Sequence, residues 1–135
     1  MYLVDTSIWI GLFRKQHHHA VEYFKDILDQ GHPFGITGII YQEVLQGVSS
    51  EKEFFQLSDY LKLQKFYHVF DPIASYLNAA KLYFDCRKKG VTPRSSIDCL
   101  IAQIAIEHHL ILLHHDRDFI QIQKVVPKLK LYPSP

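Results

Sequence analysis

The sequence has few of the features that define specialised classes of protein. Only two cysteines, Cys86 and Cys99, occur in 135 residues, and neither has the spacing of a metal site or a disulfide framework. No apolar run exceeds about six residues, whereas a membrane-spanning helix needs ~20. The first residues, MYLVDTS, lack the basic and apolar segments of an export signal. These absences predict a reduced, cytoplasmic protein that does not contact a membrane.

An excess of charge of one sign is also missing. The 15 Lys and Arg residues balance 14 Asp and Glu residues, so the net charge is +1 with the histidines neutral. Binding of nucleic acid through bulk charge is therefore not expected, and any such binding must be local. The 47% of hydrophobic residues excludes disorder. Because no linker rich in Pro, Gly and Ser divides the chain, residues 1–135 are predicted to form a single domain.

Short apolar segments alternate along the chain with segments whose apolar residues have helical spacing. The predicted strands are 2–4, 34–37, 67–70, 110–113 and, as an edge strand, 129–132. The predicted helices are 6–13, a second helix that ends at Gly31, 39–48, 51–63, 72–89, 95–109 and 116–125. This alternation predicts an α/β fold of three layers around a short, mostly parallel sheet.

Acidic residues follow the predicted strands or begin the neighbouring helices. Asp5 directly follows the first strand, and Glu43 lies in the helix after the second strand. Asp98 lies in the first turn of the most apolar helix. Asp116 and Asp118 follow the strand 110–113. Because ligand sites in open α/β sheets lie beyond the carboxyl ends of the strands, we expect these acids to converge there.

Several carboxylates at one edge of a sheet would repel one another unless a cation neutralised them. Like charges within about 4–6 Å raise each other's pKa, and a hard divalent cation removes that repulsion. Ligands that are all oxygen favour Mg²⁺ or Mn²⁺ over zinc. Such an ion can polarise a phosphodiester and lower the pKa of a bound water, so the acids predict a phosphodiesterase centre.

Most of these acids also have a structural explanation that needs no metal. Ser95 and Asp98 have the spacing of a helix capping box, and Asp116 is placed to cap the last helix. Glu43 could be a solvated helix residue. Asp5 differs from them, because a carboxylate that ends a buried strand is costly to desolvate unless it is paired or binds a metal.

Four segments together resemble PIN-domain ribonucleases, and more narrowly the VapC toxins of type II toxin–antitoxin modules. They are VDTS at 4–7, EVLQG at 43–47, RSSIDCLIA at 94–102 and LLHHDRDF at 112–119, in that family's order and spacing. The resemblance implies a three-layer α/β/α PIN-like domain. It also implies a metal-dependent endoribonuclease that hydrolyses RNA phosphodiesters with Mg²⁺ (or Mn²⁺).

The resemblance also assigns expected roles to individual residues. The catalytic residues match Asp5, Glu43, Asp98 and Asp116, and the metal ligands match Asp5, Asp98 and Asp116. Glu43 is expected to hold or orient the attacking water. The auxiliary residues are the hydroxyl groups of Thr6 and Ser7 and the acid Asp118. One position departs from the family, because His114 stands where members often have Thr or Ser.

The partners implied by the resemblance are an RNA substrate, a small cognate antitoxin that inserts a segment into the acidic groove, and a second copy of the chain in a homodimer. Basic residues near the acids are expected to contact RNA phosphates, although some of them could instead complement a helix dipole. They are Lys88, Lys89, Arg94 and Arg117. The histidines at 17–19 and 108–109 are expected to be solvated, or to lie along the protein surface with their polar ends in water. Transfer, ribosomal and messenger RNA all remain open as targets.

Other functions agree less well with the pattern. A haloacid-dehalogenase-type phosphatase needs a second Asp two residues after the first, and Ser7 occupies that position. A response-regulator receiver needs an acidic pair on its first strand. The remaining alternative is a PIN-type module that binds RNA or a protein without cleaving it. Because all the acids of the family are present, we favour cleavage.

Overall fold

The computed structural model describes residues 1–134, and within them it has five strands and seven helices. The strands are β1 (Tyr2–Val4), β2 (Phe34–Ile36), β3 (Lys65–Phe66), β4 (Ile111–Leu113) and β5 (Lys130–Tyr132). The helices are α1 (Thr6–Phe13), α2 (His19–Gln30), α3 (Gly38–Gln46), α4 (Glu51–Leu61), α5 (Ala74–Lys88), α6 (Ser96–Glu107) and α7 (Arg117–Val125). The predicted alternation of strands and helices is confirmed. Of the predicted single domain, Pro135 lies outside the described residues.

The five strands form one parallel sheet in the order β3-β2-β1-β4-β5. Leu3 in the central strand pairs with Gly35 of β2 on one side and with Leu112 of β4 on the other. From β1 the chain proceeds outward to β2 and β3, and then crosses to β4 and proceeds to β5. Because connections between parallel strands are right-handed, this reversal places α1–α4 on one face and α5–α7 on the other. The predicted three-layer fold is confirmed.

The core lies on both faces of the sheet. Fully buried side chains include Leu3, Leu112 and Leu113 in the strands, Trp9 and Phe24 in α1 and α2, and Ile101 and Phe119 in α6 and α7. Burial of each such side chain stabilises the fold by about 1.5–3 kcal/mol. Helix α6 buries half of its 12 residues, including the continuous run from Ile101 to Ala105. None of the helices within residues 1–134 is both long and apolar enough to cross a bilayer.

The third strand differs from the prediction of residues 67–70, because it is formed by Lys65–Phe66. The amide of Tyr67 still donates to the carbonyl of Ile36, 2.8 Å away. Ile36 is the last residue of β2, and the next residue, Thr37, already caps α3. The chain after Tyr67 therefore has no neighbouring strand to pair with, although its aromatic residues have high strand propensity.

Candidate active site

The site lies where the strand order reverses, at the carboxyl ends of the adjacent strands β1 and β4. The amide of Asp5 donates to the carbonyl of Leu113 at 3.0 Å, which extends the pairing of these strands by one residue. In doubly wound sheets the connections before and after such a reversal lie on opposite faces, and a crevice opens between them. Side chains from β1, β4 and the helices that follow them meet in this crevice.

Asp5 is buried at the end of β1 and caps α1. Its Oδ2 accepts hydrogen bonds from the amide of Ser7 at 3.0 Å and from the hydroxyl of Ser7 at 2.6 Å. The Ser7 hydroxyl in turn accepts from the amide of His115 at 3.0 Å. Burial raises the pKa of Asp5 to about 6, even though the bonds from Ser7 oppose that shift. The charges of Glu43 and Asp116 raise this pKa further.

Thr6 joins Glu43 to the same end of β1. The Thr6 hydroxyl donates to Glu43 Oε1 at 2.8 Å, and this bond links the first residue of α1 to the middle of α3. Glu43 is half-buried and its charge acts on Asp5. The structure therefore brings together the two acids that follow β1 and β2, which lie far apart in the sequence.

Three further acids form a cluster beside Asp5. Carboxylate oxygens of Asp98, Asp116 and Asp118 all lie within 4.8 Å of one another. Asp98 belongs to the first turn of α6, whereas Asp116 caps α7 by accepting from the amide of Asp118 at 2.9 Å. Burial raises the pKa of Asp98 to about 7, and the charges of Asp116 and Asp5 raise it further.

Arg94 contacts this cluster directly. Its Nη2 lies 3.0 Å from Asp116 Oδ1 and its Nε lies 2.9 Å from Asp118 Oδ2. Sequence reasoning placed Arg94 at a rim facing RNA phosphate and missed this pairing. The other three predicted rim residues, Lys88, Lys89 and Arg117, are exposed and form no ion pair with a carboxylate within residues 1–134.

The histidines near the acids have defined structural roles. His114 is buried, and its Nδ1 accepts from the amide of Asp116 at 3.1 Å, so it holds the backbone that presents this acid. Burial lowers the pKa of His114 to about 4. The expectation that His18 is solvated, or keeps its polar end in water, is wrong. Its ring is half-buried, its Nε2 is buried, and it stacks on His115 with centroids 3.6 Å apart. His18 also caps α2 through its Nδ1. No local pattern distinguishes His18 from His17 or His19.

The donor set fits a hard divalent cation. All the candidate ligands are carboxylate oxygens, which Mg²⁺ and Mn²⁺ prefer. Burial and mutual repulsion raise the pKa of Asp98, and a bound cation would reverse that shift because it stabilises the ionised form. The structure places ligand atoms of Asp98, Asp116 and Asp118 close enough to share one such ion. Asp5, which the sequence predicts as a ligand together with Asp98 and Asp116, acts on Asp98 through its charge.

A comparison with protein families and curated proteins identifies relatives across most of the chain. The family described as PIN domain matches residues 2–125. Ribonuclease VapC11 of Mycobacterium tuberculosis is 32% identical over 126 residues, which make up 93% of each chain. A VapC ribonuclease of Mycobacterium bovis matches to the same extent.

Solved structures share the fold at lower sequence identity. VapBC2 from Rickettsia felis, solved bound to a DNA fragment from its promoter, matches with a TM-score of 0.71 and 18% identity over 96% of each chain. VapBC-1 from nontypeable Haemophilus influenzae has a TM-score of 0.70 and 19% identity, over 96% of this chain and 95% of that one. At these identities the structures show the fold alone.

Proposed function

Since the chain belongs to the PIN-domain family, we propose that it is a metal-dependent endoribonuclease and the toxin of a type II toxin–antitoxin module. The observation that supports this most strongly is the convergence of carboxylates from β1, α3, α6 and α7 at the point where the strand order reverses. Two of these carboxylates, Asp5 and Asp98, have a raised pKa. The relatives named VapC ribonucleases support the choice of RNA as the substrate.

The proposed mechanism assigns a separate task to each side chain. Asp5, Asp98 and Asp116 would hold a Mg²⁺ or Mn²⁺ ion. When bound, the ion would neutralise charge on the phosphodiester and lower the pKa of a water. Glu43, oriented by the Thr6 hydroxyl, holds the attacking water in line with the phosphorus–O3′ bond. The water oxygen would bond to phosphorus as the P–O3′ bond breaks. One proton of that water would pass to the Glu43 carboxylate, and the departing 3′ oxygen would take a proton from solvent, which gives a 5′ phosphate and a 3′ hydroxyl.

Ser7 and His114 act through other groups in this proposal. The Ser7 hydroxyl lies between Asp5 and the His115 amide, so it joins the end of β1 to the loop after β4. His114 holds the amide of Asp116 and thereby orients the start of α7. Both residues fix the distance between Asp5 and Asp116, which a shared ion requires to be short.

We propose three further properties from the same family membership. A small cognate antitoxin inserts a segment into the acidic groove, where an Arg side chain would pair with the carboxylates. The pairing of Arg94 with Asp116 and Asp118 supports this, because it places a guanidinium on the same oxygens. The chain forms a homodimer. Residues 1–135 form a single PIN domain.

The central experiment compares RNA cleavage by wild-type protein and Asp98→Asn. Purified, antitoxin-free protein is incubated with total RNA in Mg²⁺ or Mn²⁺, with EDTA as the metal-free control. We expect discrete fragments from the wild type and a rate at least about 100-fold lower for Asp98→Asn, because an amide cannot supply the ionised ligand. The matched control is Asp59→Asn, which removes an exposed acid on α4 that pairs with Lys62 and should leave cleavage unchanged.

Each outcome distinguishes between functions. Cleavage by folded Asp98→Asn at the wild-type rate would end the nuclease assignment at this site. A folded wild type that binds metal but cleaves no RNA would instead favour the PIN-type module that binds RNA or a protein. Mapping the fragment ends would identify the target as transfer, ribosomal or messenger RNA.

A further inference from the structure

Arg94 lies in the loop between α5 and α6, next to the cluster formed by Asp98, Asp116 and Asp118. Its guanidinium bridges two acids of that cluster, with Nη2 3.0 Å from Asp116 Oδ1 and Nε 2.9 Å from Asp118 Oδ2. The backbone amide of Arg94 also donates to Asp118 Oδ2 at 3.3 Å. The loop is thus attached to the cluster by its main chain as well as by its side chain.

The guanidinium uses carboxylates that a metal ion would also need. Asp116 and Asp118 have oxygens within 4.8 Å of one another and of Asp98, which is the spacing of a possible ion site. A guanidinium donates hydrogen bonds to carboxylate oxygens and supplies one positive charge. A divalent ion binds the same lone pairs and supplies two charges. Arg94 contacts one oxygen of each acid, Asp116 Oδ1 and Asp118 Oδ2. A divalent ion bound to these carboxylates would therefore compete with the guanidinium for the same negative charge.

The Arg94 side chain is free to leave the cluster. It is 76% exposed, and water can solvate the guanidinium as soon as it swings outward. Asp116 and Asp118 are only 25% and 15% exposed, but solvent screens the exposed guanidinium that pairs with them, so a divalent ion can displace it. The Asp118 amide donates to Asp116 Oδ1, and this capping bond of α7 does not involve Arg94.

We propose that Arg94 is the resting counter-ion of the carboxylate cluster and competes with the divalent metal for Asp116 and Asp118. It holds the two acids together while the site has no metal, and it is released when the ion binds. Its presence lowers the metal affinity below the value that the carboxylates alone would provide. This inference rests on the proposed function, because it takes these carboxylates as part of the metal site.

The test measures Mn²⁺ binding by calorimetry to the wild type, Arg94→Gln and Arg117→Gln at one pH and one ionic strength. Arg94→Gln should bind Mn²⁺ roughly three- to tenfold more tightly, since the competing ion pairs are gone. Arg117 lies between the two acids in the sequence but forms no ion pair within the described part of the chain. Arg117→Gln removes the same charge and should change the affinity less than about twofold.

A second readout follows thermal unfolding with EDTA and with saturating Mn²⁺. In EDTA, Arg94→Gln should unfold at a lower temperature than the wild type, because its acids lack a counter-ion. Saturating Mn²⁺ should raise its unfolding temperature more than that of the wild type. Equal affinities for all three proteins, or equal tightening in both variants, would overturn the role of Arg94 and leave the proposed function intact. Weaker binding by Arg94→Gln would overturn it as well. If none of the three bound metal, this inference and the proposed function would both fail.

Discussion

Two acids of the site are unusual as individual residues, because the fold raises their pKa. Most carboxylates in folded proteins gain hydrogen bonds or cations that keep them ionised. Asp5 has a pKa of about 6 and Asp98 of about 7, in each case mainly because of burial. Other acids of the site add repulsion to both residues. Without a cation, the ionised forms of these residues therefore oppose folding at neutral pH.

The pH dependence of stability should reveal this effect through Asp98→Asn in EDTA. A folded pKa of about 7 lies above the ordinary value of 3.8, so folded Asp98 keeps its proton where the unfolded chain has lost it. Its stabilising contribution is complete below about pH 4 and is lost as the pH rises to about 7. Over that window the free energy of unfolding of Asp98→Asn should rise by about 2 kcal/mol relative to that of the wild type. This is less than the full pKa shift would give, because Asp98 is only half-buried.

The measurement is the free energy of unfolding in urea at several pH values between 4.5 and 7.5. Taking the difference between the two proteins removes the contribution of His114, whose lowered pKa acts in the opposite sense. Asp59→Asn, at an exposed position, should show no such pH-dependent gain. A difference between wild type and Asp98→Asn that stays constant with pH would contradict the raised pKa.

At the scale of elements, two site acids are also helix caps. Asp5 caps α1 and Asp116 caps α7, and each follows a strand of the sheet directly or after a short loop. A capping residue at this junction necessarily presents its carboxylate at the carboxyl edge of the sheet. Helix capping and metal binding are therefore compatible explanations for these acids. One carboxylate can cap a helix with one oxygen and bind a ligand with the other.

The capping role of Asp116 in α7 can be separated from the effect of its charge by comparing Asp116→Asn with Asp116→Ala. Asparagine caps helices as well as aspartate does, whereas alanine has no acceptor for the Asp118 amide. Both variants lose the negative charge that pairs with Arg94. In EDTA, Asp116→Ala should therefore be about 1 kcal/mol less stable than Asp116→Asn, measured by urea unfolding. Equal stability of the two variants would show that the cap contributes nothing.

At the scale of the whole molecule, α5 exposes several large apolar side chains. Ile73 is 80% exposed, Leu77 is 68% exposed and Phe84 is 55% exposed, and all lie on one stripe of this helix and the residue before it. Lys81 borders the stripe, with its ammonium 5.6 Å from the centre of the Phe84 ring. A second copy of the chain can present the same stripe across a two-fold axis. This surface supports the proposed homodimer.

Leu77→Glu should convert the proposed homodimer into a monomer. The expected mass by light scattering is twice 15.8 kDa for the wild type and 15.8 kDa for the variant, because two glutamates would be buried against each other. Leu63→Glu is the matched control, since Leu63 is 81% exposed after the end of α4 and off the stripe. A wild type that is monomeric at micromolar concentration would remove the homodimer from the proposal.

Local sequence patterns determined the type and order of the elements and the position of each acid relative to a strand end. Hydrophobic period and helix caps are properties of neighbouring residues, so Asp5, Asp98 and Asp116 could be placed at element ends before any fold was known. The catalytic and metal-binding roles of these residues remain predictions.

Only the tertiary structure decided which of these ends meet and what else lies between them. The strand order brings α6 and α7 beside β1, and it pairs Arg94 with Asp116 and Asp118, which lie far from it in the sequence. Strand β3 ends at Phe66 because β2 has no further residue for it to pair with. These features depend on packing between distant segments, and a local pattern contains no information about such packing.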